Sequence, residues 1–448
     1  MFTAIYRRLG PRGALIAWIV GVALVIALVV GLLGLAINLV QPPSQPSPST
    51  AVVTMTHYDS SSGKTVLSSV SARDGSTIRS ARLPMKPEFS ATANGMYYAQ
   101  GWMGSPGLTI GAWRLSDGAR QWSVTPSNTG AARAMLVADG LLFYATGSAY
   151  PSPQETLVAV DATTGAPVWD VSLPGVDMMA NIVPQAAANA SMVFVGSFAN
   201  LSGASPSVTA IRVADGSIAW TKTVSTTIAS RQVGAARLSG YGNGPGRRIA
   251  ASADTIYAAD DSGAVTALRA TDGAIVWQSS AISSANIGAM LTYGGAGLYV
   301  CQYTNNNTQN PLLALDPATG RTLWRTTAQS CAGQLAEVDG VLYSASGTLS
   351  ATRLSDGATL WSAGPASGDL SFLSLRVSEG VVVAAAAPSG GRAPVCSINV
   401  LPGGTSQCSS SGYIAAFNAA TGATYWRKDV YSNPYLVGDD WFAATQPF

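Results

Sequence analysis

The chain has 448 residues, enough for a large core, and only 11% of them are charged, against about 25% in an ordinary soluble domain. Its 25 basic and 23 acidic residues give a net charge of +2. Because a nucleic-acid partner requires a strongly basic surface, we expect none here. The pair Arg247–Arg248 lies in a Gly-rich stretch and is predicted to be a solvated loop.

The N-terminal region is typical of a membrane anchor. Residues 1–12 form a short segment with three arginines, and residues 13–40 form a mainly apolar run that exceeds the roughly 20 residues a spanning helix needs. The positive-inside rule then predicts a single-pass signal anchor with a cytoplasmic N-terminus and an extracytoplasmic remainder. The alternative is a cleaved signal peptide, whose apolar region is normally shorter and ends in a small-x-small site. A lipid anchor on an N-terminal cysteine is excluded, because the first cysteine is Cys301.

Residues 41–50, "QPPSQPSPST", are rich in proline and predict an extended linker of about 3.1 Å per residue. They would hold the following residues, 51–448, about 30 Å from the membrane. Everything from residue 51 onward is predicted to be one domain.

An eight-fold internal repeat runs through residues 51–448. Successive repeat glycines lie 37 to 65 residues apart, about 50 on average, which is the period of propeller blades and solenoids. Seven copies have a tryptophan four residues after the glycine, whereas the first has Arg79. The repeat glycines are Gly75, Gly118, Gly165, Gly216, Gly273, Gly320, Gly357 and Gly422, and the tryptophans are Trp122, Trp169, Trp220, Trp277, Trp324, Trp361 and Trp426.

Each repeat contains about four short segments rich in β-branched and aromatic residues, separated by turn residues. The glycine, with an aspartate or threonine before it, is predicted to close the hairpin between the third and fourth strands. Radially arranged sheets diverge outward, and we expect the tryptophan to fill that space as a core residue. The sequence therefore predicts an all-β fold, an eight-bladed β-propeller of four-stranded antiparallel blades preceded by one transmembrane helix.

Four cysteines follow, all on the predicted extracytoplasmic side, where disulfides persist. Cys396 and Cys408 flank a segment with a Pro-Gly-Gly turn, so we predict that they pair, which leaves Cys301 with Cys331. Four free buried thiols are the alternative. Neither pair has the C-x-x-C spacing of a redox or zinc site.

The first repeat has no clear leading strand, and the C-terminal tail has the pattern of one. We therefore predict that Tyr435–Thr445 pairs with the first blade and closes the ring. Such pairing hides strand edges that would otherwise promote aggregation.

The pattern A-x-D-x-x-T-G-x-x-x-W, clearest in "VAVDATTGAPVW" and "LALDPATGRTLW", resembles the repeat of the pyrroloquinoline-quinone (PQQ)-like β-propellers. This resemblance implies the propeller fold for residues 51–448. It leaves function open, because the family includes both quinoprotein dehydrogenases and non-enzymatic propellers such as an outer-membrane assembly lipoprotein. The dehydrogenase branch implies a quinone, a calcium ion, a disulfide between adjacent cysteines and an acidic base.

The sequence departs from the dehydrogenase branch, since no two cysteines are adjacent and few acidic residues lie outside the turns. Glu337 and Glu379 are predicted to be turn or surface residues, Asp260–Asp261 a hairpin turn, and His57 a surface or strand residue without a catalytic triad. We predict no catalytic, cofactor-binding or metal-binding residues. A membrane helix in place of a lipidated cysteine is a departure from the assembly lipoprotein as well.

These observations favour a non-enzymatic scaffold, a membrane-anchored propeller that binds a protein or cell-envelope partner through its loops. The longest irregular insertions, Ser225–Arg248 and Pro388–Gly412, are the candidate contact regions. A PQQ-dependent dehydrogenase and a ligand-sensing propeller are the alternatives.

Overall fold

The computed structural model describes residues 52–59, 64–102, 108–126, 135–147, 154–174, 182–184, 192–197, 207–224, 249–259, 264–279, 289–294, 297–302, 311–326, 334–368, 370–388, 396–397, 407–408, 412–430 and 434–437. All of them belong to one unit, Ser49–Phe448. Within these ranges no helix is long and apolar enough to cross a membrane. The predicted N-terminal segment, spanning helix and linker (1–12, 13–40 and 41–50) lie outside the described residues.

Thirty-four strands form the described fold. They are β1 (Val52–Asp59), β2 (Lys64–Ser71), β3 (Thr77–Leu83), β4 (Lys86–Ala93), β5 (Met96–Trp102), β6 (Leu108–Arg114), β7 (Arg120–Val124), β8 (Met135–Ala138), β9 (Leu141–Gly147), β10 (Gln154–Asp161), β11 (Pro167–Pro174), β12 (Ile182–Pro184), β13 (Met192–Ser197), β14 (Ser207–Arg212), β15 (Ile218–Thr223), β16 (Ile249–Ala251), β17 (Thr255–Ala259), β18 (Val265–Arg269), β19 (Ile275–Gln278), β20 (Ala289–Gly294), β21 (Gly297–Gln302), β22 (Leu312–Leu315), β23 (Thr322–Thr326), β24 (Gln334–Val338), β25 (Val341–Ser346), β26 (Thr348–Arg353), β27 (Thr359–Ala363), β28 (Leu370–Ser378), β29 (Val381–Pro388), β30 (Cys396–Ser397), β31 (Gln407–Cys408), β32 (Gly412–Asn418), β33 (Thr424–Val430) and β34 (Pro434–Val437).

Eight four-stranded antiparallel sheets form the blades. Blade 1 has the order β3-β2-β1-β34, blades 2 to 7 each use four consecutive strands from β4 to β27, and blade 8 contains β28, β29, β32 and β33. The first strands of neighbouring blades contact one another, so they lie innermost, and the fourth strands are outermost. β30 and β31 form a two-stranded hairpin inserted into blade 8. The predicted eight-bladed propeller is confirmed.

The core is divided into eight apolar clusters, one between each pair of neighbouring blades. Phe143 of blade 3, for example, packs with Val193 and Ile211 of blade 4. Ile414 of blade 8 packs with Met55 of blade 1. Because the last blade packs on the first as every other pair does, the ring is closed.

The C-terminal strand β34 supplies the innermost strand of blade 1. It pairs antiparallel with β1, with Tyr435 opposite Thr56 and Val437 opposite Thr54. The predicted pairing of the C-terminal tail with the first blade is confirmed for Tyr435 to Val437, and residues 438–445 lie outside the described residues.

The two ends of the blades carry different connections. Strands alternate in direction, so the turns that join first to second and third to fourth strands share one end, which we call the turn face. Their backbones are hydrogen bonded together, as from the Ala162 amide to the Gly140 carbonyl (2.9 Å). The other connections leave from the opposite end, which we call the loop face, and include 225–248, between β15 and β16, and 389–411, between β29 and β32.

Each hairpin between third and fourth strands contains a bulge directly before the repeat tryptophan position. A bulge disrupts the pairing of an edge strand and turns its residue outward. In six blades this residue is apolar and exposed: Ile78, Val168, Val276, Leu323, Leu360 and Tyr425. Single exposed apolar side chains are therefore spaced around the outer rim of the ring.

Candidate functional site: the faces and rim of the ring

The repeated tryptophans and glycines meet at seven of the eight blade interfaces. Each tryptophan Nε1 donates a hydrogen bond of 2.6–3.0 Å to a backbone carbonyl in the third-to-fourth turn of the next blade. Its ring covers the repeat glycine of that turn so closely that an added Cβ would lie 2.5–2.8 Å from it. We call this arrangement the Trp–Gly contact. The indoles pack between blades as core residues and do not converge on a central site.

The interface between blades 1 and 2 lacks this contact, because Arg79 occupies the tryptophan position of blade 1. Trp113 of blade 2, 1% exposed, fills the gap from the other side, among Leu67 and Leu83. Gly111 makes room for it, since a Cβ there would lie 2.5 Å from the Trp113 ring. Gly118 faces the Ala81 side chain instead of an indole. This interface is also apolar, but different residues fill it.

The turn aspartates act on the backbone, as their position before the glycines predicted. The Asp161 carboxylate accepts the amides of Thr163 (2.9 Å) and Thr164 (2.7 Å) and the Thr164 hydroxyl (2.9 Å). The Thr164 bonds, amide first, lower the pKa of Asp161. The same kind of amide bond is made by six further aspartates, Asp74, Asp117, Asp215, Asp272, Asp316 and Asp356. Seven carboxylates thus accept hydrogen bonds that stabilise the turns.

The prediction that Glu337 is a turn or surface residue is wrong. Glu337 is half-buried on β24, the innermost strand of blade 7, and its Oε2 accepts the Tyr299 hydroxyl of blade 6 at 2.8 Å. Burial, and then this bond, raise the pKa of Tyr299. Tyr257 and Tyr343, at the same position of their blades, donate to turn carbonyls instead. Glu379 does lie in an exposed turn, with φ of 47°.

Two polar side chains at the interface of blades 2 and 3 have no hydrogen-bond partner among the described residues. They are Gln100 on β5, 0% exposed, and Thr146 on β9, 2% exposed. Gln100 lies on the same face of its strand as Tyr98, and Thr146 lies on the same face as Tyr144. Both tyrosines pack in this interface. Both polar groups lie near the loop face. Such a pair suits a bound water or a polar group of a ligand.

The cysteines occupy two regions. Cys301 is buried in β21 and disulfide-bonded, whereas its predicted partner Cys331 lies outside the described residues. Cys396 and Cys408 stand directly opposite each other in the β30–β31 hairpin, and none of the described cysteines is free. Both pairings, Cys301–Cys331 and Cys396–Cys408, stay predictions.

The residues considered for a cofactor lie far apart in the sequence. His57 lies half-buried on β1, and Asp260–Asp261 lie outside the described residues. The described ranges contain no group of three or more His, Cys, Asp or Glu side chains arranged to hold a metal ion. No two cysteines are adjacent in the whole sequence, so the disulfide ring of the quinoprotein branch has no counterpart. These residues do not fit a quinone–calcium centre.

The sequence profile of one family covers almost the whole described ring. The family is described as outer membrane protein assembly factor BamB, and its profile matches residues 62–240, 207–363 and 308–437. This chain belongs to that family. It is a PQQ-like propeller, as the resemblance predicted. No curated protein matches the chain.

Solved structures share the fold at low sequence identity. BamB from Moraxella catarrhalis is 17% identical with a TM-score of 0.52, covering 78% of this chain and 89% of its own. The computationally designed Ika8 protein is 13% identical with a TM-score of 0.51, covering 77% and 96%. Quinohemoprotein alcohol dehydrogenase ADHIIG from Pseudomonas putida is 12% identical with a TM-score of 0.50, covering 73% and 69%. Both functional branches of the family are therefore structural neighbours.

Proposed function

We propose that this PQQ-like propeller is a non-enzymatic scaffold in the bacterial cell envelope, anchored in the membrane by residues 13–40, with the ring outside the cytoplasm. The observation that carries the proposal is the use of the repeat residues. The tryptophans, glycines and turn aspartates are engaged in blade interfaces and turns. Specificity is then left to the loop face, as is common for repeat folds.

The family supports a protein partner in general terms. The matched family and one structural neighbour carry the name of an outer membrane protein assembly factor. We assign the partner-binding role to the connections 225–248 and 389–411, which leave from the loop face; apart from 396–397 and 407–408, they lie outside the described residues. The second of them contains the β30–β31 hairpin.

Crosslinking of the full chain in mild detergent, followed by identification of the crosslinked proteins, tests the proposal. Replacement of 225–248 or 389–411 by short Gly/Ser linkers is expected to abolish a crosslink that the wild type forms. The matched control changes the turn face: Asp139→Asn and Glu379→Asn, at positive-φ positions that asparagine tolerates, should leave it intact. Loss with the control, or retention in both loop variants, contradicts the proposal.

A quinoprotein dehydrogenase is the second candidate, because ADHIIG shares the fold. Incubation of the protein with PQQ and calcium, followed by dye-coupled oxidation of alcohols and sugars, separates the two. Saturable turnover would replace the scaffold proposal with the enzymatic one. A ligand-sensing role, the third candidate, predicts a small molecule that shifts the crosslinking pattern.

A further inference from the structure

The outer rim of the ring is unevenly charged. The fourth strands β19 and β27, of blades 5 and 7, have no charged residue, and β11 of blade 3 has only Asp170. Blade 1 and the outer strands of its two neighbours, by contrast, carry four basic residues: Arg79 and Arg82 on β3, Arg120 on β7 and Lys428 on β33. We call these four residues the basic arc.

The register places these side chains in two adjacent grooves. Arg79 lies on the face of β3 that carries Leu83, toward blade 2, and Arg120 pairs with Trp113, which packs toward blade 1. Arg82 lies on the opposite face of β3, toward blade 8. From that side Lys428 donates to the Thr77 hydroxyl (2.6 Å) and the Gly75 carbonyl (3.3 Å). Each groove beside blade 1 therefore has a basic residue on both walls.

Within the part of the chain that the structure describes, no ion pair neutralises the basic arc. The described ion pairs of the rim are Arg114–Asp117, Arg269–Asp272, Arg353–Asp356 and Arg427–Asp429, and none involves the arc. Of the nearby acidic groups, Asp429 and Asp117 belong to those pairs, and Asp74 is next to Arg73, which contributes to lowering its pKa after the Ser76 and Ser71 bonds. Arg79, Arg82 and Arg120 are exposed.

The same rim carries an apolar side chain suited to a lipid interface. Ile78, at the bulge of β3, is 48% exposed between the two grooves. Blade 1 is also the blade that the predicted linker leads into, because β1 begins at Val52, about twelve residues after the predicted membrane span ends. The linker spans about 30 Å only when it is fully extended, so a bent linker brings this basic surface to the headgroups, and clusters of four or more basic residues are typical of anionic-lipid recognition.

We infer that the basic arc docks the rim of blade 1 on an anionic phospholipid surface, so that the ring stands on its edge with both faces accessible. This inference rests on the membrane anchoring in the proposed function. Each basic residue near an anionic surface strengthens binding about fivefold. Four together favour the docked state several hundredfold at most, and less as salt screens the attraction.

Arginine footprinting of the full chain tests the inference. The protein is reconstituted in vesicles of phosphatidylcholine alone or mixed with phosphatidylglycerol, and phenylglyoxal modification of each arginine is followed by mass spectrometry. We expect Arg79, Arg82 and Arg120 to react about tenfold more slowly on the anionic vesicles, with recovery at high salt. Arg321 and Arg325, exposed on blade 6, are internal controls and should react equally on both.

Matched variants separate charge from fold. R79Q/R82Q should restore rapid modification of Arg120 on anionic vesicles, whereas R79K/R82K, which keeps the charge, and R321Q/R325Q, on blade 6, should leave Arg120 protected. Equal rates on both vesicle types overturn the inference. Protection of the arc by inorganic phosphate or by polyglutamate on neutral vesicles also overturns it, in favour of a soluble anion or an acidic protein.

Flotation distinguishes this inference from the proposed anchoring. If the chain fails to float with vesicles of either composition, the anchor itself is wrong and the docking inference falls with it. If the chain floats with both but the footprint does not depend on lipid charge, the anchor stands and docking of the rim is wrong.

Discussion

Seven blade interfaces share the Trp–Gly contact, and the interface between blades 1 and 2 does without it. In the seven, an outer-strand indole donates to the next turn and covers its glycine. In the eighth, the indole comes from Trp113 on the third strand of the following blade, and Ala81 covers the glycine. The space between neighbouring blades must therefore be filled, but the side chain that fills it can come from either blade.

This difference also separates two uses of one repeat position. Where tryptophan is present, the side chain is consumed by packing. Where arginine replaces it, packing has moved inward and the position is left exposed to solvent. In the irregular blade, Arg79 is therefore exposed and available for a role other than packing.

The largest effect is expected from removing the strand that completes the irregular blade. Deletion of all residues after Tyr431 removes β34 and exposes the inner edge of β1, an aggregation-prone edge. We expect an insoluble or protease-sensitive protein, measured by sedimentation and limited trypsin digestion. A soluble, protease-resistant truncated chain would show that the ring does not depend on this closure.

Equivalent positions of regular and irregular blades should differ sharply in cost. Trp361→Ala removes a side chain that is 9% exposed together with its hydrogen bond to the Ala419 carbonyl, and should lower the free energy of unfolding by about 4 kcal/mol. Arg79→Ala, at the same repeat position of blade 1, should change it by less than about 0.5 kcal/mol. Denaturant unfolding measures both, and similar losses would abolish the distinction.

The glycine half of the contact is tested by a pair of substitutions at similar backbone angles. Gly140→Ala (φ +76°, nothing within 4 Å) isolates the backbone strain, about 1 kcal/mol. Gly165→Ala (φ +74°) adds a Cβ 2.7 Å from the Trp122 ring, and should cost about 1–3 kcal/mol more because the indole must move. Equal losses in the free energy of unfolding would mean that the Trp122 indole moves aside at little energetic cost.

The charge of a turn aspartate should matter only above acidic pH. Hydrogen bonds lower the pKa of Asp161 in the folded protein, so its stabilisation is complete above the unfolded pKa of about 3.9 and is lost as pH falls through the folded value. Asp161→Asn keeps an acceptor, as Asn418 does in blade 8. The stability difference between wild type and variant should therefore be present at neutral pH and vanish in strong acid. A difference that is independent of pH would assign the effect to geometry.

The smallest effect is expected from restoring the missing tryptophan. Arg79→Trp should change the stability by less than about 0.5 kcal/mol, because Ala81 already covers Gly118 and Trp113 already fills the interface. A clear gain in thermal or denaturant stability would show that space between blades 1 and 2 is unfilled, and that this interface lacks a tryptophan that it could accommodate.

The fold was predictable because its determinants are local and repeated. Gly165 and its counterparts lie in turns that require a positive φ. A tryptophan follows four residues later in seven of the eight repeats, so a short sequence window identifies each hairpin. The C-terminal closure was predictable for the same reason, since the tail repeats the pattern of a leading strand that the first blade lacks.

The features of the surface and the interfaces could not be predicted in this way, because they depend on residues that are distant in sequence. Glu337 resembles a turn residue until the fold places Tyr299 beside it. Arg79, Arg120 and Lys428 form no run of charge along the chain, and only ring closure brings Lys428 next to blade 1. Gln100 and Thr146 give no linear signal either, because each belongs to an ordinary strand.

The position of β34 has a consequence for the order of events in biosynthesis. The first blade is completed only after the last strand leaves the ribosome, since β1 and β34 are the first and last strands that the structure describes. Contacts between such distant segments form slowly. Until then the nascent polypeptide has an uncovered strand at its beginning, so completion of the first blade is a late step that follows the end of translation.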